Sequence, residues 1–299
     1  MKLRIPSWRR PAGKTPGTTG RGLWGVPLLA LPVLLGGWLA GLLLWFPSAA
    51  LETRLEQDAN NHLRGMGQLE LEGLSPRLPF AIGVREGTLN LTQPTMAIAA
   101  TDLAVAPLWR SLLGGNPGLS FSARLLGGET QGFARRSGEL HLNLRDLRLA
   151  FPLLENSQLA VEGILNRGAF TGLWPPRDGS VSRLLLTLTG VRLTGLSTLG
   201  ATHDALELGT LELVGIGQGK VLKIERLEAR DGHLIGTGTG SLLLADQLPA
   251  SRMNLTLNLT TTAEIDAQLR ELLTVLVPPA PDGSLVLRLS GTLARPRLN

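Results

Sequence analysis

From Leu23 to Ala50 the chain carries no charged residue, and its apolar part, LWGVPLLALPVLLGGWLAGLLLWF (Leu23–Phe46), is 24 residues long. A helix needs roughly 20 apolar residues to cross a ~30 Å hydrocarbon layer. Trp24 at one end, and Trp45 and Phe46 at the other, put aromatic rings at the two expected interfaces. Pro27, Pro32, Gly36, Gly37 and Gly41 weaken a helix in water but are tolerated in a bilayer. The run reads as a membrane span. Ser48-Ala49-Ala50 resembles a signal-peptide cleavage site, but the apolar core of a signal peptide is usually only about 7–15 residues. An uncleaved anchor is the better reading.

Residues 1–22 contain Lys2, Arg4, Arg9, Arg10, Lys14 and Arg21 and no acidic residue. Such an arm stays on the cytoplasmic side, so everything after Pro47 is expected outside the cytoplasm. The whole chain has 29 basic and 24 acidic side chains, a net charge of +5. Without the arm, 23 basic residues face 24 acidic ones. The positive charge is thus a topology signal and argues against a nucleic-acid surface. Cysteine is absent, which excludes disulfides, thiolate metal sites and cysteine nucleophiles. The core must be built from Leu and Val with frequent Gly and Thr, a mixture that favours short strands and turns.

The expected organisation is a basic arm over 1–22, an anchor over 23–46, a juxtamembrane helix over 47–64 and a β-rich domain over 65–299. In the helix, Leu51, Leu55, His62 and Leu63 fall near one face, and Glu52, Arg54, Glu56 and Asp58 fall mostly around the other. From Gly65 the apolar period changes to two. A pattern of apolar positions spaced two, two, three, two then recurs. It occurs at Met96/Ile98/Ala100/Leu103/Val105, Leu140/Leu142/Leu144/Leu147/Leu149 and Leu184/Leu186/Leu188/Val191/Leu193, starting 44 residues apart, which hints at an internal repeat. Shorter versions run through Leu206/Leu208/Leu211/Leu213 and Leu222/Ile224/Leu227. The extra residue is either a two-residue hairpin loop or a β-bulge. Arg145-Asp146 and Glu225-Arg226 lack the Gly or Asn such a loop wants, so bulges in long strands are favoured. Pro107–Leu113 reads as a short helix closed by Gly114-Gly115. Ala263–Val277 reads as a longer one, capped by Thr261 and Glu264, with Ile265, Leu269, Leu272, Leu273 and Leu276 as its apolar stripe. The fold class is mainly β: one anchor helix followed by a long, curved, bulged sheet forming a groove or partly open barrel, covered by one or two short helices.

No constellation for catalysis emerges. The tracts Gly215-Ile-Gly217-Gln-Gly219-Lys220 and Gly236-Thr-Gly238-Thr-Gly240 lack the phosphate-loop spacing and lie in strand-like surroundings. His62, His141, His203 and His233 have no paired metal-ligand spacing. Glu70/Glu72 and Glu225/Glu228 read as solvated strand faces. No catalytic, cofactor-binding or metal-ligating residue is assigned, and the expectation is a non-enzyme without a cofactor.

Three short segments carry a family likeness: Pro107-Leu-x-x-Ser-Leu-Leu-x-Gly-x-Pro117, Gly127-Gly-x-x-x-Gly132 and the closing Gly291-Thr-Leu-x-x-Pro296. With the basic arm and single anchor, the chain resembles the type II secretion system protein N (GspN) family in its delta-proteobacterial form. It is also similar to the broader AsmA-like proteins. The first resemblance implies a single-pass accessory subunit of the bacterial inner membrane, facing the periplasm and contacting other secretion subunits without catalytic residues. The second implies a curved sheet whose apolar groove binds or transfers phospholipid. The two part company over the Leu-rich face: a helix covering it favours a structural subunit, whereas an open face calls for lipid or a partner.

Overall fold

The alternation that begins at Gly67 builds a single antiparallel sheet. The computed structural model describes residues 46–299 together with Gly37 and Gly41, apart from 64–66, 78–80, 93–94, 153–157, 200–202, 246–249, 264, 266, 277–278, 282, 294 and 299. The arm 1–22 and almost all of the expected span Leu23–Phe46 lie outside the described residues. Among the described residues, no helix is long and apolar enough to cross a membrane. The chain divides into two compact units, Met1–Phe46 and Pro47–Asn299, and the second holds every element named below.

That unit opens with α1 (Ser48–Leu63) and continues through β1 (Gly67–Arg77), β2 (Ala81–Thr92), β3 (Thr95–Pro107), α2 (Trp109–Leu113), β4 (Gly118–Leu125) and β5 (Gly128–Arg135). It proceeds through β6 (Glu139–Arg145), β7 (Leu147–Pro152), β8 (Ala160–Leu173), β9 (Val181–Thr194) and β10 (Ala205–Gln218). It closes with β11 (Val221–Arg230), β12 (Leu234–Leu243), β13 (Arg252–Thr261), α3 (Ala267–Leu276), β14 (Leu285–Thr292) and β15 (Arg295–Leu298). Each strand pairs with the next, except that β6 and β7 both pair with β8. The sheet is open, with β1 and β15 at its ends.

The recurring extra residue is a bulge in β3 and β9, and between β6 and β7 it is a three-residue step that β8 matches. Leu140 to Leu149 is one bent strand, β6 running into β7 along the same partner β8, with Asp146 at φ 55° between them. In β3 the register slips between Thr101 and Ala104, where Asp102 has φ 52°. In β9 the slip falls around Gly190. Asp and Gly are the residue types that reach this left-handed region at least cost. In each copy the three-residue step keeps the Leu series on one face. The 44-residue spacing is not a repeated unit: β4, β5 and α2 separate the first two copies, whereas β8 alone separates the last two.

Ladder partners fix the two faces. Leu142 lies opposite Phe170, Phe170 opposite Leu184, Leu184 opposite Gly215 and Gly215 opposite Ile224. One face is therefore Leu- and Gly-rich, and the alternate positions carry Thr, Asn, Arg, Lys and Glu. Leu140 and Leu142 of β6 nevertheless line one groove with Met253 and Leu255 of β13. Six strand steps in a flat sheet would hold them roughly 29 Å apart. The sheet curls around its apolar face.

α3 closes one end of this trough. Ile265, Leu269 and Leu273 pack with Leu206, Leu234, Leu259 and Leu285 from four strands. The expected helix begins later than its sequence pattern implies, because β13 runs on to Thr261, which pairs with Leu234 and so cannot cap it. Glu264, and the side chains of Leu272 and Leu276, lie outside the described residues. α1 also corrects an expectation. Glu52 and Glu56 do not face water but accept hydrogen bonds from the backbone N–H groups of Leu74 (2.6 Å) and Leu71 (2.7 Å) on the outer edge of β1.

Candidate functional site

The apolar face between β6 and β13 encloses a groove of about 630 Å³, within the roughly 300–1,000 Å³ range of small-molecule sites. Its lining is wholly apolar: Leu142, Phe170, Leu186, Leu222, Ile224 and Leu255 are representative, and Trp174, Leu244 and Leu293 line its end away from α3. A hollow of about 130 Å³ between Leu211, Leu227 and Leu257 continues the same face toward α3. The α3 cluster closes that end of the trough.

Two features of the sequence shape it. The bulges keep long Leu series on the inner face while bending the strands. The glycines of β12 then leave room for their neighbours to lean across. A Cβ on Gly240 would stand 2.8 Å from Leu255 Cδ2, and one on Gly238 would run into Leu257 Cδ2. The Gly236–Gly240 tract is therefore steric relief within a strand, and Gly215 and Gly217 play the same part beside Leu222 and Ser182.

The outer face holds the charges in pairs. Arg192 donates twice to Glu162 Oε2, at 2.8 and 2.9 Å, and this carboxylate raises the guanidinium above its ordinary value. Arg230 meets Glu212 at 2.6 Å and Glu228 at 3.9 Å, and Glu72 lies 4.0 Å from Arg85. Cross-strand pairing accounts for these carboxylates. The structure does not bring the histidines together. His141 stacks on Phe133 with ring centroids 5.4 Å apart, within hydrogen-bonding distance of Asn143 and Thr171. His233 Nδ1 accepts the Glu207 N–H at 3.3 Å, and His62 Nδ1 lies 2.7 Å from the Asp58 carbonyl oxygen. Among the described residues, no three His, Asp or Glu side chains converge as a metal site.

The segments that carry the family likeness are turns. Pro107–Pro117 forms α2 and its flanks, Gly127–Gly132 the β4–β5 hairpin, and Gly291–Pro296 the β14–β15 hairpin. Sequence reasoning located the Leu-rich face and a curved, groove-like sheet but not which strands line the groove, because that depends on curvature between strands far apart in the chain. No protein-family model, curated protein or solved structure matches this chain.

Proposed function

We propose that this chain is a membrane-anchored module that holds a phospholipid acyl chain in its trough, on the non-cytoplasmic side of a bacterial inner membrane. The observation that carries the reading is the groove's wholly apolar lining, about 630 Å³ in volume. Polar ligands have nothing there to hydrogen-bond. A protein partner would need to thread an extended apolar strip along a concave face, whereas an acyl chain already has that shape.

The energetics favour exchange over trapping. Each methylene brought from water into the groove contributes about 0.8 kcal/mol. Transfer from a bilayer is close to neutral, since both surroundings are hydrocarbon. A lipid can therefore pass in and out without a large barrier from water, as a carrier or a presenting subunit requires. The positive arm 1–22 and the uncharged Leu23–Phe46 segment support the anchored topology.

The test is lipid analysis of the full chain extracted from its native membrane in mild detergent. Phospholipid retained near stoichiometry, above detergent controls, is expected. Lipid at control level, with secretion-system subunits recovered stoichiometrically instead, would overturn it in favour of the accessory-subunit role implied by the GspN likeness.

A further inference from the structure

α1 runs antiparallel to β1, with Glu52 bonded to Leu74 and Asn60 to Leu69. Ser48 therefore stands at the end of the sheet that carries the β1–β2 turn. Trp174, Leu244 and Leu293, which line the groove, are at this same end.

This end has an unusual surface. Val181 pairs with Gln218, Gln218 with Val221 and Val221 with Leu243, so the three apolar residues form a row on the outer face. They are 66%, 45% and 48% exposed, and Trp109, Leu119 and Leu293 extend the apolar edge. The turns here are tied into a firm arc by backbone bonds. Arg136 donates to the Pro117 carbonyl, Trp174 to Gly138, Gly219 to Ser180, Leu244 to Lys220 and Leu293 to Ser251, all at 2.7–2.9 Å.

Charge divides along the same axis. Among the described residues, the seven turns at this end, with the strand residues that bound them, hold eight basic and two acidic side chains, Arg110, Arg177, Lys220 and Arg252 among the basic ones. The six turns at the α3 end hold two basic and three acidic among the described residues.

We infer that this rim is a second membrane contact: it seats on an anionic phospholipid surface, which brings the Trp174 end of the groove next to the bilayer. Exposed apolar side chains interleaved with Arg and Lys are what an interfacial surface presents, with the apolar groups below the headgroups and the cations among the phosphates. The chain enters the folded unit at this end, one residue after the uncharged segment expected to cross the membrane. The occupant is thus the surface of that same membrane. The inference goes beyond the groove's proposed cargo and stands independently of it, since a rim can dock whether or not the trough is filled.

The test uses the full chain, which has no cysteine and so accepts a single fluorophore at any introduced one. Val221→Cys on the rim and Ile235→Cys on the same outer face at the α3 end are both exposed positions. Each labelled protein is reconstituted in vesicles of phosphatidylcholine and phosphatidylglycerol containing a lipid with a nitroxide high on its acyl chain. The Val221 label is expected to be quenched several-fold more than the Ile235 label. Arg177→Glu with Lys220→Glu, or vesicles without phosphatidylglycerol, should reduce the difference. Equal, weak quenching at both positions overturns the inference, as does shielding of Val221 by a second copy, seen as a disulfide between Val221→Cys chains without quenching. Rim quenching with a lipid-free groove would remove the cargo proposal alone. A lipid-filled groove with an unquenched rim would remove this one alone.

Discussion

The Glu56 carboxylate accepts the backbone N–H of Leu71 at 2.7 Å, from a helix that lies along the free edge of the sheet. Glu52 and Asn60 do the same for Leu74 and Leu69. Residues four apart on a helix are separated by about 6 Å along its axis, and alternate residues of a strand by about 6.7 Å, so the two ladders match. The left-handed backbone at Gly73 (φ 73°), with no register shift against β2, accompanies the three-residue step from Leu71 to Leu74. An edge strand with unpaired N–H groups is a template for association with another chain. Here the edge is occupied by side chains that cannot propagate a sheet.

Glu56→Ala should therefore cost about 1.5–3 kcal/mol, the range for hydrogen bonds to charged groups. Glu56→Gln keeps an acceptor and should cost less. Replacing Glu52, Glu56 and Asn60 together should also make the protein self-associate through β1, as read by light scattering alongside chemical denaturation. A triple variant as stable and as monodisperse as the parent would show that these bonds do not protect the edge.

The left-handed backbone at Asp146 makes a second, sharper expectation. Asp146→Gly should be neutral or slightly stabilising, whereas Asp146→Val should lose about 1–2 kcal/mol from backbone strain. Gly190→Val should lose a similar amount although a Cβ there meets nothing within 4 Å. Equal stabilities across the series would place the strain elsewhere.

Leu269 is 3% exposed in the cluster that closes the trough. Leu269→Ala should cost about 2–5 kcal/mol, while Leu119→Ala at a 52% exposed position should stay within about 0.5 kcal/mol. Thermal denaturation of the two variants side by side checks the contrast.

Asp204 Oδ1 accepts the Ser197 hydroxyl at 2.5 Å and the Ser197 N–H at 3.2 Å. These bonds, the hydroxyl first, hold its carboxyl below the ordinary 3.8. Because the folded value is depressed, the contribution to the 196–204 segment is present above about pH 3.8 and lost as pH falls through the folded midpoint. A carbon-detected NMR titration should find that midpoint below 3.8, and Ser197→Ala should raise it toward the ordinary value. An unchanged midpoint in Ser197→Ala would remove the assigned cause.

Much of this architecture is legible in the chain because bulges leave a written trace. The step of three between Leu144 and Leu147, filled by Arg145-Asp146, signals a bend that keeps the apolar face. The helix over Ala267–Leu276 is likewise visible in Ile265, Leu269 and Leu273, although its start is not, since Thr261 continues a strand whose partner Leu234 is 27 residues away. The role of Glu52 and Glu56 is invisible to hydropathy, which sends carboxylates to water and does not register unpaired backbone donors. The strands that line the groove escape for a related reason. Leu142 and Met253 share it only because six strand steps curl, and that curvature sums the glycines and bulges of several strands.

The most direct test of the central claim compares two neighbours on one strand. Leu186 lines the groove and Thr187, the next residue of β9, occupies the opposite face. A photoreactive phenylalanine analogue placed at each position is irradiated in intact membranes, and the adducts are identified by mass spectrometry. Phospholipid captured from position 186 and not from 187 is the expected result. Equal capture at both positions, or capture at 186 of protein alone, would contradict the account.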